Sequence, residues 1–486
     1  MTTQGPSLGH HCGVAAIYSR QDVNIPEKLF FPLFSLQHRG QESAGIAYRK
    51  GGHTVVYKDV GMVSAVLSRY VGVDRPSRVG IGHVRYSTHG GNKLENAQPI
   101  LVTCNKGEIA IAHNGNISNT AELKKQLFDE GSIFQTTSDT ELFLHLISRS
   151  KKSTFHDALF ESLNMVRGAF SMVLTHDDEL IAVRDPHGFR PLYIGFLDDT
   201  VVIASETCGL DILQVRDYRS VEPGEVIFIN DDGVRSEFLP PVPTLHQCVF
   251  ELIYFARPDS QVFDNSVHER RKKMGAALAL EDHGRNGGRS EPIGDIVVSV
   301  PDSGNSAALG YSEASGIPFD FGLTRNHYSG RSFIMPTTSE REMAVRMKLH
   351  PIKEVIAGKR VVLVDDSLVR GTTAKSLVSL LRDAGAAEIH LRLSSPEILW
   401  PCFFGIDIPT RKELISNRMS NRQIAEYVGA DSVRFLSIES LKSCLDAPSN
   451  YCYSCFSGNY PFPVPITEQE KNEFATTAER ALSRGE

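Results

Sequence analysis

The sequence predicts two units in series, an α+β unit followed by an α/β unit, and three observations lead there. The 486 residues exceed what one hydrophobic core usually supports. The first half is a succession of short strands with helices set in groups, whereas the second half repeats a strand–turn–helix–strand rhythm. A Pro-rich break, LPPVPTLHQ, closes the first unit.

Taken in order, strand-like runs occur at CGVAAIY, SRVGIGHVRYS, EIAIAH, FSMVLT, LIAVRD, LYIGF, VVIAS and EVIFI. Helical patterns occur at EKLFFPLFSL, TAELKKQLFDEG and SDTELFLHLISRS, the last opened by Ser138 as N-cap with Glu141 three residues on. Strands mixed with helices in this way imply packed sheets covered by helices. After residue 260, DIVVSV is followed by PDSGNSAALGYSEASG, then RVVLVDD, a Gly/Thr loop, the helix AKSLVSLLRDAGA and the strand EIHLRLSS. This is a parallel, doubly wound pattern, in which ligands are expected at the strand C-termini. There is no internal repeat and no low-complexity tract.

Composition excludes several classes of function. At 41% hydrophobic and 22% charged, the chain is an ordinary globular one, and no apolar run approaches the ~18 residues a membrane helix needs. A net charge of −7 argues against a nucleic-acid surface, though not against a local phosphate pocket. Residues 1–11 lack the basic start and apolar run of a secretory signal, and eight cysteines are too sparse for a disulfide scaffold. A reducing cytoplasm is expected, where cysteines signal catalysis or metal. Cys12, at the head of an apolar strand, suits a buried free thiol as well as a nucleophile on its own residues.

VVLVDDSLVRGTTAK is the most informative stretch. Val361–Val364 read as a buried strand ending in Asp365 and Asp366. Ser367, Arg370, Gly371, Thr372 and Thr373 then form a loop of N–H groups and hydroxyls leading into a helix N-terminus, a cradle for a phosphate dianion. The carboxylates would repel that phosphate, so they must face sugar hydroxyls or a metal. A Walker loop would end in Gly-Lys-Ser/Thr, and this one does not. The segment resembles the phosphoribosyl-pyrophosphate (PRPP) motif of type I phosphoribosyltransferases. The resemblance implies that Asp365 and Asp366 hold the ribose hydroxyls and, with Ser303 of VPDSG, help place Mg2+ and pyrophosphate. It also implies a basic lid over 325–348 carrying Arg325, Arg331, Arg341, Arg346 and Lys348, of which Arg331 and Lys348 are assigned to PRPP. Ser332 and Thr338 depart from the Thr and Gln more usual in that lid.

Upstream, LQHRGQESAGIA, GHVRYSTHG, AHNGNIS and TTSDTELF, with the Cys-Gly at 12–13, match in order the glutaminase domain of N-terminal-nucleophile amidotransferases. Taken whole, the chain resembles the glutamine phosphoribosyl-pyrophosphate amidotransferase family, in its iron–sulfur-containing branch. That resemblance implies a propeptide at 1–11, a glutaminase domain at 12–235, a type I phosphoribosyltransferase domain at 260–465 and a tail at 466–486. It makes Cys12 the nucleophile, with its own α-amine as base once the leader is removed. Asn114 and Gly115 become the oxyanion donors, Arg85 the partner of the glutamine α-carboxylate, and Asp139 the partner of its α-ammonium.

Cys248, Cys402, Cys452 and Cys455 lie in segments that resemble the iron–sulfur branch, which implies a [4Fe–4S] cluster; their spacing alone suits tetrahedral zinc equally. The activity implied is transfer of glutamine-derived ammonia to C1 of PRPP, yielding 5-phosphoribosylamine, with purine nucleotides as feedback inhibitors and a homodimer or homotetramer. A PRPP-binding regulator would show a damaged glutaminase set, and another amidotransferase of the same first domain would lack VVLVDDSLVRGTT. Neither departure is present.

Overall fold

The structure, a computed structural model, describes residues 12–86, 94–285, 292–326 and 347–464. The first unit is two stacked antiparallel sheets. Seven strands form one, in the order Asp217–Ser220, Tyr193–Leu197, Thr200–Ala204, Gly13–Val23, Ser77–Arg85, Ser43–Lys50 and His53–Val60. Six form the other, in the order Gly233–Phe238, Glu225–Asn230, Glu179–Arg184, Gly168–His176, Gly107–Ile117 and Ile100–Cys104.

The period-2 pattern decides which residues fill which layer. In Gly13–Val23, Val14, Ala16 and Tyr18 enter the layer between the sheets, where they join Ala110, Ala112 and Val173 of the other sheet. Ala15 and Ile17 face the opposite way, onto Leu29 and Leu33 of the helix Ile25–Ser35. On the far side of the second sheet, Ile109 and Ile111 meet Leu123, Leu142, Phe143 and Leu159 of three helices. Four layers result, helix–sheet–sheet–helix, with both sheets buried on both faces as the packed-sheet reading requires.

Two details of the sequence reading are corrected. Ser138 does not cap its helix, which spans Glu141–Arg149. Ser138 Oγ instead accepts from the Thr140 N–H, while the Glu141 carboxylate reaches back to Gln135 and Thr136. The 12–235 boundary falls inside an edge strand, Gly233–Phe238, which pairs with Glu225–Asn230.

In the second unit four parallel strands run Ile296–Ser299, Arg360–Asp365, Glu388–Leu393 and Ser432–Phe435. Val362 and Val364 face Met274, Ala307 and Tyr311 of two helices; Val361 and Leu363 face Leu377, Leu381 and Ile424 of two others. Burial on both faces is why VVLV is a continuous apolar run rather than an alternating one. The joining segment is itself buried: Gln247–Cys248 pairs in parallel with Tyr451–Cys452, and Glu251–Phe255 is a π-helical turn. No helix of the described residues is long and apolar enough to cross a membrane.

Candidate functional site

The first site lies where three strand ends meet. Cys12 precedes the strand Gly13–Val23, whose first pair is Gly13 with Val84, so the nucleophile candidate stands beside Arg85 at the end of the neighbouring strand. The Cys12 thiol lies 3.8 Å from the Tyr86 carbonyl. Burial pushes that thiol above its ordinary pKa; the Arg85 guanidinium and the Tyr86 contact draw it down, Asp139 raises it and Arg39 lowers it. Arg85 and Asp139 therefore lie within electrostatic reach of the Cys12 thiol. The Arg-Gly turn of LQHRGQ is packed against them: a Cβ on Gly40 would lie 2.6–2.7 Å from Arg85 backbone atoms.

Asn114 and Gly115 belong to Gly107–Ile117, at the centre of the second sheet. Both polar side-chain atoms of Asn114 are buried and, among the described residues, unpartnered. Such atoms cost about 1–3 kcal/mol each unless something accepts from or donates to them, which makes Asn114 a candidate ligand-binding group. Gly115 has φ +152°, and a Cβ there would lie 2.0 Å from the Ala169 carbonyl oxygen; no other residue fits. Asp139 is fixed by the Ile117 N–H at 2.9 Å and stands 3.8 Å from His113 Nδ1. Burial lowers the His113 pKa, opposed by the nearby Asp139 carboxylate.

The second site stands at the C-terminal end of Arg360–Asp365. Asp365 and Asp366 are both held above the usual carboxylate range. For Asp365 the causes are burial and then the neighbouring carboxylate; for Asp366 burial is opposed by Ser367, Ser303 and Arg271. Ser303 and Ser367 thus both bond Asp366, which brings VPDSG to the acidic pair. Gly371, at φ +78°, turns the chain into the helix Thr372–Asp383, and Thr372 and Thr373 stand exposed at its first turn. Arg370, in the loop expected to hold PRPP, pairs its guanidinium with Glu413. Arg325 is paired with Asp302. The Lys348 carbonyl accepts from Asn326, while Arg331 and most of the lid lie outside the described residues, as do residues 1–11.

Two different chemistries in one chain narrow the comparison, and known proteins decide it. A family model described as "Glutamine amidotransferase domain" matches residues 83–211. "Amidophosphoribosyltransferase" of Bacillus subtilis is 44% identical over 470 residues, covering 96% of this chain and 97% of its own. The chain belongs to the amidophosphoribosyltransferase family. "Amidophosphoribosyltransferase 2, chloroplastic" of Arabidopsis thaliana is 47% identical, over 93% of this chain and 79% of that one. A solved structure of the B. subtilis glutamine PRPP amidotransferase, complexed with ADP and GMP, superposes with a TM-score of 0.85 at 44% identity. It covers 94% of this chain and 98% of that one, so both halves of the architecture are those of the family. As a family member the chain is a glutamine amidotransferase and pentosyltransferase of the first step of purine biosynthesis.

The remaining candidate residues are the thiols of Cys248, Cys402, Cys452 and Cys455. Cys248 and Cys452 are register partners, the Cys455 carbonyl accepts from Leu399 and Trp400, and the Phe404 N–H donates to the Cys402 thiol at 3.3 Å. Burial raises the Cys455 thiol well above its ordinary pKa, and Cys402, Cys452 and Cys248 raise it further, so the other three thiols lie within electrostatic reach of it. Among the described residues, however, no three His, Cys, Asp or Glu side chains are closed around a metal-sized point.

Sequence reasoning missed the charges behind Cys12. Arg39, Glu206, Glu251 and Arg190 are fully buried and joined in one network. Arg39 sits in a quoted motif, and Glu251 in the segment quoted for Cys248, but nothing local signals that they meet.

Proposed function

We propose that Cys12 is the nucleophile that releases ammonia from glutamine, and that Asp365, Asp366 and the 367–373 loop hold the PRPP that receives it. The observation carrying this reading is the proximity of Cys12 to Arg85 and Asp139, with the buried, unpartnered Asn114 in the second sheet as the candidate oxyanion donor. Arg85 takes the glutamine α-carboxylate and Asp139 its α-ammonium, which aims the side-chain amide at Cys12. The Cys12 sulfur bonds the amide carbon, its proton passes to the α-amine of the same residue, and the Asn114 side chain with the Gly115 N–H receives the oxyanion. Ammonia leaves with that proton, and water then frees glutamate from the thioester. An α-amine of pKa ~8 suits this transfer at neutral pH, whereas an acylated one has no basicity, so residues 1–11 must be removed first.

At the second site ammonia bonds C1 of the ribose as the C1–O bond to pyrophosphate breaks, giving 5-phosphoribosylamine. Asp365 and Asp366 accept from ribose hydroxyls, while the 367–373 loop takes the 5-phosphate. The raised carboxyls and Ser303 suit Mg2+, which when bound neutralises the leaving pyrophosphate. Ser303, Asp365 and Asp366 would hold it, with Arg331 and Lys348 completing the lid. Four converging thiols in apolar surroundings suit a [4Fe–4S] cluster, with Cys248, Cys402, Cys452 and Cys455 as ligands, tying the C-terminal segment to the domain junction. The reading extends to a cytoplasmic homodimer or homotetramer inhibited by purine nucleotides, the last supported by the ADP and GMP of the B. subtilis relative. Glutamine labelled with nitrogen-15 in its amide should pass the label into trapped 5-phosphoribosylamine. Asp365→Asn with Asp366→Asn should abolish synthesis from glutamine and from ammonia alike; ammonia-dependent turnover surviving in the double variant would contradict the assignment.

A further inference from the structure

The Cys12 backbone is held by Arg39 of its own domain, and Arg39 in turn is held by a carboxylate of the joining segment. Arg39 Nε donates to the Cys12 carbonyl at 3.2 Å, and the same guanidinium grips the Glu251 carboxylate with both terminal nitrogens, at 3.0 and 2.7 Å. It also pairs with Glu206, which is bonded in turn by His38, the Arg257 N–H and Ser260. Arg190 bonds Glu251 from the other side at 2.9 Å. All four charged side chains are fully buried, two positive and two negative.

Glu251 opens the π-helical turn of the joining segment, and the second domain clamps that turn. Arg271, buried in the helix Val267–Arg285, donates to the Leu252 carbonyl at 2.9 Å and to the Ala256 carbonyl at 2.8 Å. Its guanidinium also feels the charge of Asp366. From Cys12 to Asp366 the contacts therefore run through buried side chains and one short segment.

We propose that Glu251 is a positioning residue for the glutaminase: acting through Arg39, it lets the joining segment set where the Cys12 backbone, and with it the sulfur and α-amine, stand against glutamine. The proposal rests on Cys12 being the nucleophile. A bidentate carboxylate–guanidinium pair fixes direction as well as distance, and reacting groups lose rate steeply with small displacements.

The test uses the processed holoenzyme, beginning at Cys12, and two variants, Glu251→Gln and Glu251→Asp. Glu251→Asp keeps the buried charge balance, and therefore the fold, but shortens the reach to Arg39. Glutamine hydrolysis with PRPP present should lose about 10–100-fold in kcat in both variants, while KM for glutamine and ammonia-dependent synthesis stay within about twofold. Unchanged kcat in folded Glu251→Asp would overturn the proposal. So would an equal loss of glutamine- and ammonia-dependent rates, which marks a merely structural role. Wild-type enzyme that fails to hydrolyse glutamine would instead sink the functional reading itself.

Discussion

Asn114 illustrates how a residue can be poor for stability and good for chemistry. Its buried, unpartnered amide costs the folded state, so Asn114→Ala should leave the melting temperature unchanged or higher. The same change removes an oxyanion donor and should lower glutaminase kcat by about 10²–10³-fold with little effect on KM. A melting temperature lowered by several degrees would show that the amide is satisfied in the fold. Asp365 makes a similar case through pH. Its folded pKa is raised by burial and by Asp366, so between the unfolded value and the raised one the folded state binds more protons than the unfolded. Stability thus falls as pH rises through that window, and the cost is complete only above the raised folded value. Asp365→Asn should therefore raise the melting temperature at pH 7–8, and the gain should vanish below about pH 4, where both states are protonated. A gain independent of pH would contradict the assignment of charge to that site.

Elements differ in how much of them can be read locally. The strand Val361–Val364 was legible because burial on both faces forces an unbroken apolar run, and the loop after it because a phosphate cradle needs a left-handed turn before a helix. That turn is testable. Gly371→Ala puts a side chain at φ +78° and 2.7 Å from Ile415 Cδ1, which should destabilise by about 1–3 kcal/mol and raise KM for PRPP at least as much as it lowers kcat. An unchanged KM for PRPP in folded protein would remove the loop from phosphate binding. Ser138 was misread because two polar residues compete for the start of one helix, and the choice is settled by Glu141 bonding backward to Gln135 and Thr136. The π-helical turn Glu251–Phe255 has no periodic signature, and the pairing of Arg370 with Glu413, 43 residues away, has no local signal.

At the scale of the whole molecule, the sequence motifs carry each site, while the contacts that bind the sites together are long-range and invisible in a linear reading. Asn116 Nδ2 donates to the Phe403 carbonyl, so the strand of the oxyanion residues touches the segment that carries Cys402. Burial raises the Cys452 thiol to about 11 and the Cys455 thiol well above its usual value, so these two are held neutral without a metal. Anaerobically purified enzyme should hold about four iron and four sulfide per chain, and losing them should loosen the junction and lower the melting temperature. Stoichiometric zinc would replace the cluster with a tetrahedral site. The central claim is that two separable sites share one chain, and Cys12→Ala tests it most directly when one preparation is assayed for 5-phosphoribosylamine with glutamine and with ammonia at high pH. The account predicts that glutamine-dependent synthesis disappears while ammonia-dependent synthesis continues at the wild-type rate; equal loss of both, or survival of the glutamine-dependent activity, would contradict it.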